Sequence, residues 1–310
     1  MHTESKSLSN QNQHFIPKSF LNEFTVNREG WFHELNIRTN RIQEIHSRNA
    51  CRITNFYDIN DDMVLKRYRI DSRYLESSFA YESSLSKILK KIRNTENYLI
   101  RQEVQTVVEA YVSMKHRTPY FRNQLSNNKI VGEVLDTTIR NFKEENSDFL
   151  KFHNFNYDEF AEKFKSETLD DPDRPRTHQL TGLVETSRNE NTAVTDAIIK
   201  ILRMNISILE ANKQDYFLVS DNPGFSLDGL KMFNTNYGKF HKIYFPINSK
   251  QMILFEGFNF ANYINPLVRL NYFTVPSSFV NEVNRLTKLI ADEVIYCENR
   301  DYLVRFRSSF

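Results

Sequence analysis

The sequence predicts an α+β protein, predominantly helical, with a small N-terminal β-hairpin and a C-terminal group of short strands. Three observations predict it. Apolar residues recur at helical spacing through several stretches between residues 74 and 213, and period-two alternation flanks a polar turn near residue 39. Past residue 215, short apolar runs are punctuated by turn residues. Of 310 residues 13% are aromatic, with 25 Phe and 15 Tyr, so the chain carries ample apolar surface for a core despite a negative mean hydropathy.

Taken in order, residues 1–13 (MHTESKSLSNQNQ) are polar and predict a flexible N-terminus, followed by a single domain over 14–310. Order begins at His14–Phe15–Ile16–Pro17, where Pro17 can open a short helix. Residues 31–45 read as two strands around Arg38–Thr39–Asn40. From Tyr74 to Arg93, Leu75, Phe79, Leu85, Leu89 and Ile92 mark an amphipathic helix. A second helix over about 97–117 places Ile100, Val104, Val107, Val108 and Tyr111 on one face and stops at Pro119. Weaker helical patterns occupy 129–166, two prolines within 170–179 predict a loop, and a long helix follows over roughly 188–213. Tyr216–Val219 then reads as an apolar strand, Asp221–Asn222–Pro223–Gly224 as a turn, and HKIYFPI with QMILFE as a strand pair across Asn248–Ser249–Lys250. A last helix over 276–295 carries Phe279, Val283, Leu286, Ile290 and Val294.

Charge and cysteine usage remove several function classes. With 41 basic and 39 acidic side chains the formal net charge is +2, so no global field draws the chain to nucleic acid or anionic lipid, and any basic site is local. Lys87, Lys90, Lys91 and Arg93 lie mostly on the outer face of their helix, as a solvated face does. Cys51 and Cys297 form neither a disulfide framework nor a CxxC site and suit a reducing, cytoplasmic setting. The polar N-terminus lacks the apolar core of a signal peptide and no apolar run approaches about 18 residues, so neither secretion nor a membrane partner is expected. P-loop, GxGxxG, HExxH, GxSxG and zinc-ligand spacings are all missing, which removes the common NTPase, dinucleotide, zinc-protease and α/β-hydrolase readings. Arg41 and His46 have the R-x4-H spacing of HEPN ribonucleases, but they fall in the predicted hairpin instead of a helix.

Five short motifs recur in a familiar order: His14–Phe15–Ile16–Pro17 with Phe20–Leu21, Asn55–Phe56–Tyr57, Glu82 in a helix, Arg117–Thr118–Pro119, and Ser220–Asp221–Asn222–Pro223. In that order the chain resembles the bacterial DUF4238 family, whose members look like HxxPxxxL, fY, iE, RtP and sDNP. The resemblance spans roughly residues 14–300. It implies one domain of that extent and nominates residues without supplying a reaction.

Glu82 lies between Leu75 and Leu89 on the helical wheel, in the middle of the apolar stripe, and must be paired, hydrogen-bonded or protonated there. Arg117, at the end of the next helix, offers a planar fork that suits either Glu82 or a phosphate. His14 can move protons near neutral pH, ligate a metal, or serve as a structural hydrogen-bonder. Asp221 and Asn222 follow a strand end, where side chains converge on pockets, although Ser-Asp-Asn-Pro also makes an Asx turn. Two readings stay open. In one, His14, Glu82, Arg117, Asp221 and Asn222 are the site of a nuclease-like enzyme acting on a phosphodiester or nucleotide, with Glu82 and Asp221 either orienting the histidine or holding a divalent cation. In the other they form a structural network inside a module that binds a small molecule or a protein, with exposed aromatics around Tyr237–Tyr244 as a contact surface.

Overall fold

The computed structural model of the chain describes residues 11–79, 82–153, 155–238, 240–259 and 264–308. Strands in chain order are β1 (Asn12–His14), β2 (Trp31–Asn36), β3 (Arg41–His46), β4 (Arg52–Thr54), β5 (Tyr98–Ile100), β6 (Met204–Glu210), β7 (Val219–Ser220), β8 (Phe225–Asp228), β9 (Lys231–Phe233), β10 (Lys242–Pro246), β11 (Gln251–Phe258), β12 (Leu267–Arg269), β13 (Asn271–Thr274) and β14 (Val294–Cys297). Helices are α1 (Lys18–Leu21), α2 (Asp62–Tyr68), α3 (Tyr74–Ser77), α4 (Glu82–Arg93), α5 (Arg101–Arg117), α6 (Pro119–Leu125), α7 (Asn128–Glu145), α8 (Ser147–Phe152), α9 (Tyr157–Asp170), α10 (Arg174–Ser187), α11 (Thr192–Leu202), α12 (Ser277–Ile290) and α13 (Arg300–Ser308).

The α+β class and both β groups follow the sequence. The β2–β3 hairpin pairs Trp31 with His46 through Asn36 with Arg41, and the Asn36 Oδ1 accepts from the Arg38 and Thr39 amides to close its turn. It belongs to a four-stranded sheet in the order β3-β2-β14-β7. The second sheet has six strands in the order β13-β6-β11-β10-β8-β9, antiparallel except where β13 runs parallel to β6. The hydrophobic core spans helices and both sheets, with Ile16, Phe56, Leu89, Tyr111, Val184, Phe245 and Tyr296 in one buried cluster.

Helix α5 is the element that positions everything discussed below. It packs against α4, α10 and α11, and from Ala110 through Lys115 every side chain is buried. A helix covered on all faces has no solvated side on which to place charge. Lys115 and Arg117 therefore have to find partners inside the protein.

Several boundaries differ from the sequence expectation, each for a local reason. The helix expected over 74–93 is two helices, because α3 ends at Ser77 and Phe79 leaves the helical path; Glu82 then opens α4 instead of sitting mid-helix. The second helix starts at Arg101, since residues 98–100 pair with β12. The loop expected over 170–179 is short, because Pro175 occupies the first turn of α10, where the missing N–H costs nothing. The helix expected over 188–213 gives way after Leu202 to β6, whose residues Met204, Ile206 and Ile208 alternate inward at period two. The strand expected at Tyr216–Val219 pairs only at Val219–Ser220; the Phe217 amide donates to the Ser249 carbonyl and the Leu218 amide to the Asn284 side chain. The helix expected to be last, over 276–295, stops at Ile290; β14 follows, and α13 comes after it. Residues 12–14 form β1, not a flexible tail, and residues 1–10 lie outside the described residues. Tyr237 and Tyr244 are buried, so they do not supply the exposed aromatic surface expected around them; Phe240 is the strongly exposed aromatic among the described residues there.

Candidate functional site

Antiparallel packing of α4 and α5 brings the start of α4 to the end of α5. Glu82 sits where the helix dipole of α4 is positive and Arg117 where that of α5 is negative, so each charge is favoured by its own helix before the two meet. The Arg117 Nη1 donates to the Glu82 Oε1 at 2.6 Å. Its Nε donates to the Tyr57 hydroxyl at 2.7 Å, and its Nη2 to the His14 carbonyl at 2.9 Å. The Phe79 ring covers the guanidinium face at 3.7 Å. Arg117 is buried, whereas the Glu82 carboxylate remains about one third exposed, at 31%.

His14 reaches this cluster through β1, which pairs with β4 so that His14 faces Arg52. Burial pulls the imidazole below its usual range; Arg52 and Lys18 act in the same direction, and the Ala50 carbonyl and Glu82 act against it. The ring is therefore neutral at pH 7. Its Nδ1 is buried without a hydrogen-bond partner among the described residues.

Asp221 and Asn222 belong to a second network. Asp221 extends from β7 towards β14, and its carboxylate accepts from the amides of Asp292, Glu293 and Val294 at 2.9, 2.8 and 3.1 Å. Asn222 donates through Nδ2 to the Ile290 carbonyl at 2.8 Å, satisfying the end of α12, and accepts through Oδ1 from the Lys115 Nζ at 2.6 Å. Lys115 also donates to the Gly224 carbonyl at 2.7 Å. Gly224 holds a φ of +76°, and a Cβ there would meet the Tyr244 carbonyl at 2.7 Å and the Tyr111 ring at 2.8 Å. The amine is fully buried, and burial drives it well below its usual range, with Asp221 acting weakly against this.

The structure thus brings together His14, Glu82 and Arg117 and places Asp221 and Asn222 elsewhere. Lys115 and Arg117 are two residues apart on one helix, so their side chains leave it about 200° apart. Sequence reasoning missed Lys115, yet a signal was present: Val104, Val108, Tyr111 and Lys115 continue one stripe at helical spacing. It also missed the grip on residues 55–58. Arg122 donates to the Phe56 carbonyl at 3.2 Å and covers that ring at 4.0 Å, while Arg176 donates to the carbonyls of Asn55 and Asp58, both at 2.9 Å. Among the described residues no group of three or more His, Cys, Asp or Glu side chains is placed to hold a metal ion, and no helix is long and apolar enough to cross a membrane.

One cleft adjoins the first network. About 220 Å³ in volume, it lies between Ser78–Phe79, α5, α10 and α11, with Phe79, Leu183, Val194 and Ile198 as apolar walls, Ser113, Thr186, Ser187 and Asn189 between them, and Glu109 as the single ionisable group of its lining among the described residues. Phe79 is shared, with Arg117 against its ring and the cleft beside it.

An α+β scaffold in which motif residues tie two internal cations defines the class of protein. The chain belongs to the family described as "Protein of unknown function (DUF4238)", whose model matches residues 12–301. No curated protein and no solved structure matches the chain.

Two outcomes follow from these networks. Arg117→Ala removes three hydrogen bonds and the stack on Phe79 and releases Glu82, and should cost about 3–5 kcal/mol in urea unfolding, against about 1–2 kcal/mol for Glu82→Gln, whose carboxylate is partly hydrated. Equal, small losses would show that the pair holds little.

Burial pushes Asp221 up to about 6 from 3.8, against the downward pull of its three amide donors. An acid raised on folding stabilises the folded state while protonated, so its contribution is complete below pH 3.8 and is lost as pH rises through about 6. The stability advantage of the wild type over Asp221→Asn should therefore be larger at acidic than at neutral pH. Chemical denaturation of both proteins across this range measures it, and an advantage that grows with pH would refute the assignment.

Proposed function

We propose that the chain is a binding module for a small, mainly apolar molecule bearing a basic nitrogen, seated in the cleft between Ser78–Phe79, α5, α10 and α11. The observation that carries this reading is the cleft itself: apolar walls, one carboxylate, and a back wall braced by the Arg117 stack on Phe79. A predominantly apolar concavity with few convergent polar groups is the usual form of a small-molecule site. Glu109 would pair with an ammonium or amidinium through a charge-assisted hydrogen bond, worth about 1.5–3 kcal/mol. Arg117, Asp221 and Asn222 are engaged within the protein, which supports a structural part for them. A reducing, cytoplasmic setting belongs to the proposal, because Cys51 and Cys297 are both free and buried.

Benzylamine, benzyl alcohol and benzoate separate the contributions of shape and charge. Calorimetric titration should rank the amine first; Ile198→Trp, which fills the cleft, should abolish binding, and Glu109→Gln should weaken the amine about tenfold or more. Binding that survives Ile198→Trp, or no binding by any of the three, sinks the reading.

A second reading has an observation of its own. His14 is neutral, has an unengaged buried Nδ1 among the described residues, and stands near the partly exposed Glu82 with Arg52 and Lys18 close by. Such a group can accept a proton from an attacking hydroxyl while the two cations hold a phosphodiester, as in a nuclease-like enzyme. A divalent cation would then be held by Glu82 together with substrate oxygens and water. Incubation with tRNA, single-stranded RNA and DNA, with Mg²⁺ or EDTA, should give cleavage that His14→Ala removes and Asp221→Asn spares. Intact substrates throughout, or cutting by His14→Ala at the wild-type rate, would falsify this reading.

A further inference from the structure

A second cleft shares no lining residue with the one beside Phe79. About 630 Å³ in volume, it opens where the ends of β6, β11 and β13 meet the C-terminal end of α4 and the residue after β14. The strand pattern explains its polarity. Met204, Ile206 and Ile208 of β6 face the main buried cluster, as do Ile253 and Phe255 of β11. The same two rows finish in Glu210 and Gln251, which stand opposite one another, with Thr274 of β13 beside Glu210. An apolar face thus closes on a polar edge.

That edge is held rigidly. Gln251 donates through Nε2 to the Glu210 Oε1 at 3.0 Å and accepts through Oε1 from the Asn248 Nδ2 at 3.0 Å. The Asn248 Oδ1 in turn accepts from the amides of Lys250 and Gln251, both at 2.8 Å. This relay fixes one oxygen of the Glu210 carboxylate and leaves the other without a hydrogen-bond partner among the described residues. Ser249, in the same turn, lines the cleft and is only 5% exposed. Its hydroxyl also has no hydrogen-bond partner among the described residues. Polar groups so deeply placed are ordinarily engaged, so an open hydroxyl beside an oriented carboxylate is the form of a site awaiting a ligand.

The lining selects that ligand. Three carboxylates, Glu23, Glu210 and Glu298, face two bases, Arg93 and Lys250. Arg93 is paired with Glu23, and Lys250 donates to the carbonyls of Lys213 and Asp215 and covers the Tyr216 ring. Glu210 and Glu298 stand in no ion pair among the described residues. The negative balance opposes a phosphorylated or otherwise anionic molecule. Among the described residues the three acids are not placed to share a metal ion. Ala211 is the one apolar residue of the lining, and no aromatic ring belongs to it, so a hydrocarbon chain or ring would gain little by burial there. Hydroxyl groups and an ammonium are what the walls can satisfy.

We propose that this cleft binds an amino polyol, a small hydroxylated molecule bearing one ammonium, with the ammonium on Glu210 and a hydroxyl on Ser249. Glucosamine, glucose and putrescine, titrated calorimetrically into the full chain in a slightly acidic, amine-free buffer, test it. Glucosamine should bind, with glucose, which lacks the ammonium, and putrescine, which lacks hydroxyls, each about tenfold weaker or more. Glu210→Gln keeps an acceptor for Gln251 and should lower glucosamine to the affinity of glucose while leaving glucose unchanged. Thr274→Trp, at an exposed position on the cleft wall, should block glucosamine without moving the melting temperature. The proposal is overturned by no glucosamine binding at millimolar concentrations, by glucosamine binding no tighter than glucose or putrescine, or by either variant binding it as the wild type does.

Discussion

Burial of two cations two residues apart on α5 is the constraint around which the rest of the protein is arranged. A charge taken out of water costs several kcal/mol unless the surrounding groups replace its hydration. Here the replacement is divided between opposite sides of one helix. Arg117 receives a carboxylate, a hydroxyl, a carbonyl and an aromatic face from the N-terminal half of the chain. Lys115 receives an amide oxygen and a carbonyl from the C-terminal half. Both halves are thereby pinned to α5.

The two solutions are chemically different. Arginine cannot shed its proton, so its site must supply a counter-charge and acceptors in the plane of its fork. Lysine can, and its surroundings are neutral acceptors in a site where burial lowers the amine's affinity for a proton. Asp221 shows the complementary effect, an acid lifted by burial even though three amides point at it. The motif residues that mark the family are thus largely groups that answer one another, and the small cleft beside Phe79 inherits a stiff wall from them.

How much of this was legible in the sequence follows from the physics of each element. The hairpin and the inner faces of α4, α5 and α12 were readable because a half-buried element writes its period into its own residues. The meeting of Glu82 with Arg117 was foreseeable from helix order, but not its register, which depends on a helix break at Ser77 that no proline or glycine announces. The α11–β6 switch was hidden because helical and extended segments that are both largely apolar read alike over short lengths. The division of His14 from Asp221 was invisible, since it depends on which side of α5 each distant segment reaches. Lys115 was present in the pattern and was passed over because a lysine on an apolar stripe looks like a helix end.

The Lys115 contacts also bear on the order in which the protein is made. Its acceptor Asn222 lies 107 residues later in the chain, and Gly224 lies 109 later. During synthesis from the N-terminus, α5 can form long before either acceptor exists, so its lysine must stay hydrated and the face around Tyr111 uncovered until the second half emerges. Closing such long loops is slow and comes late in folding. A nascent chain of this protein therefore carries an open, apolar flank while at least 107 further residues are added, which is the kind of surface that holding chaperones recognise.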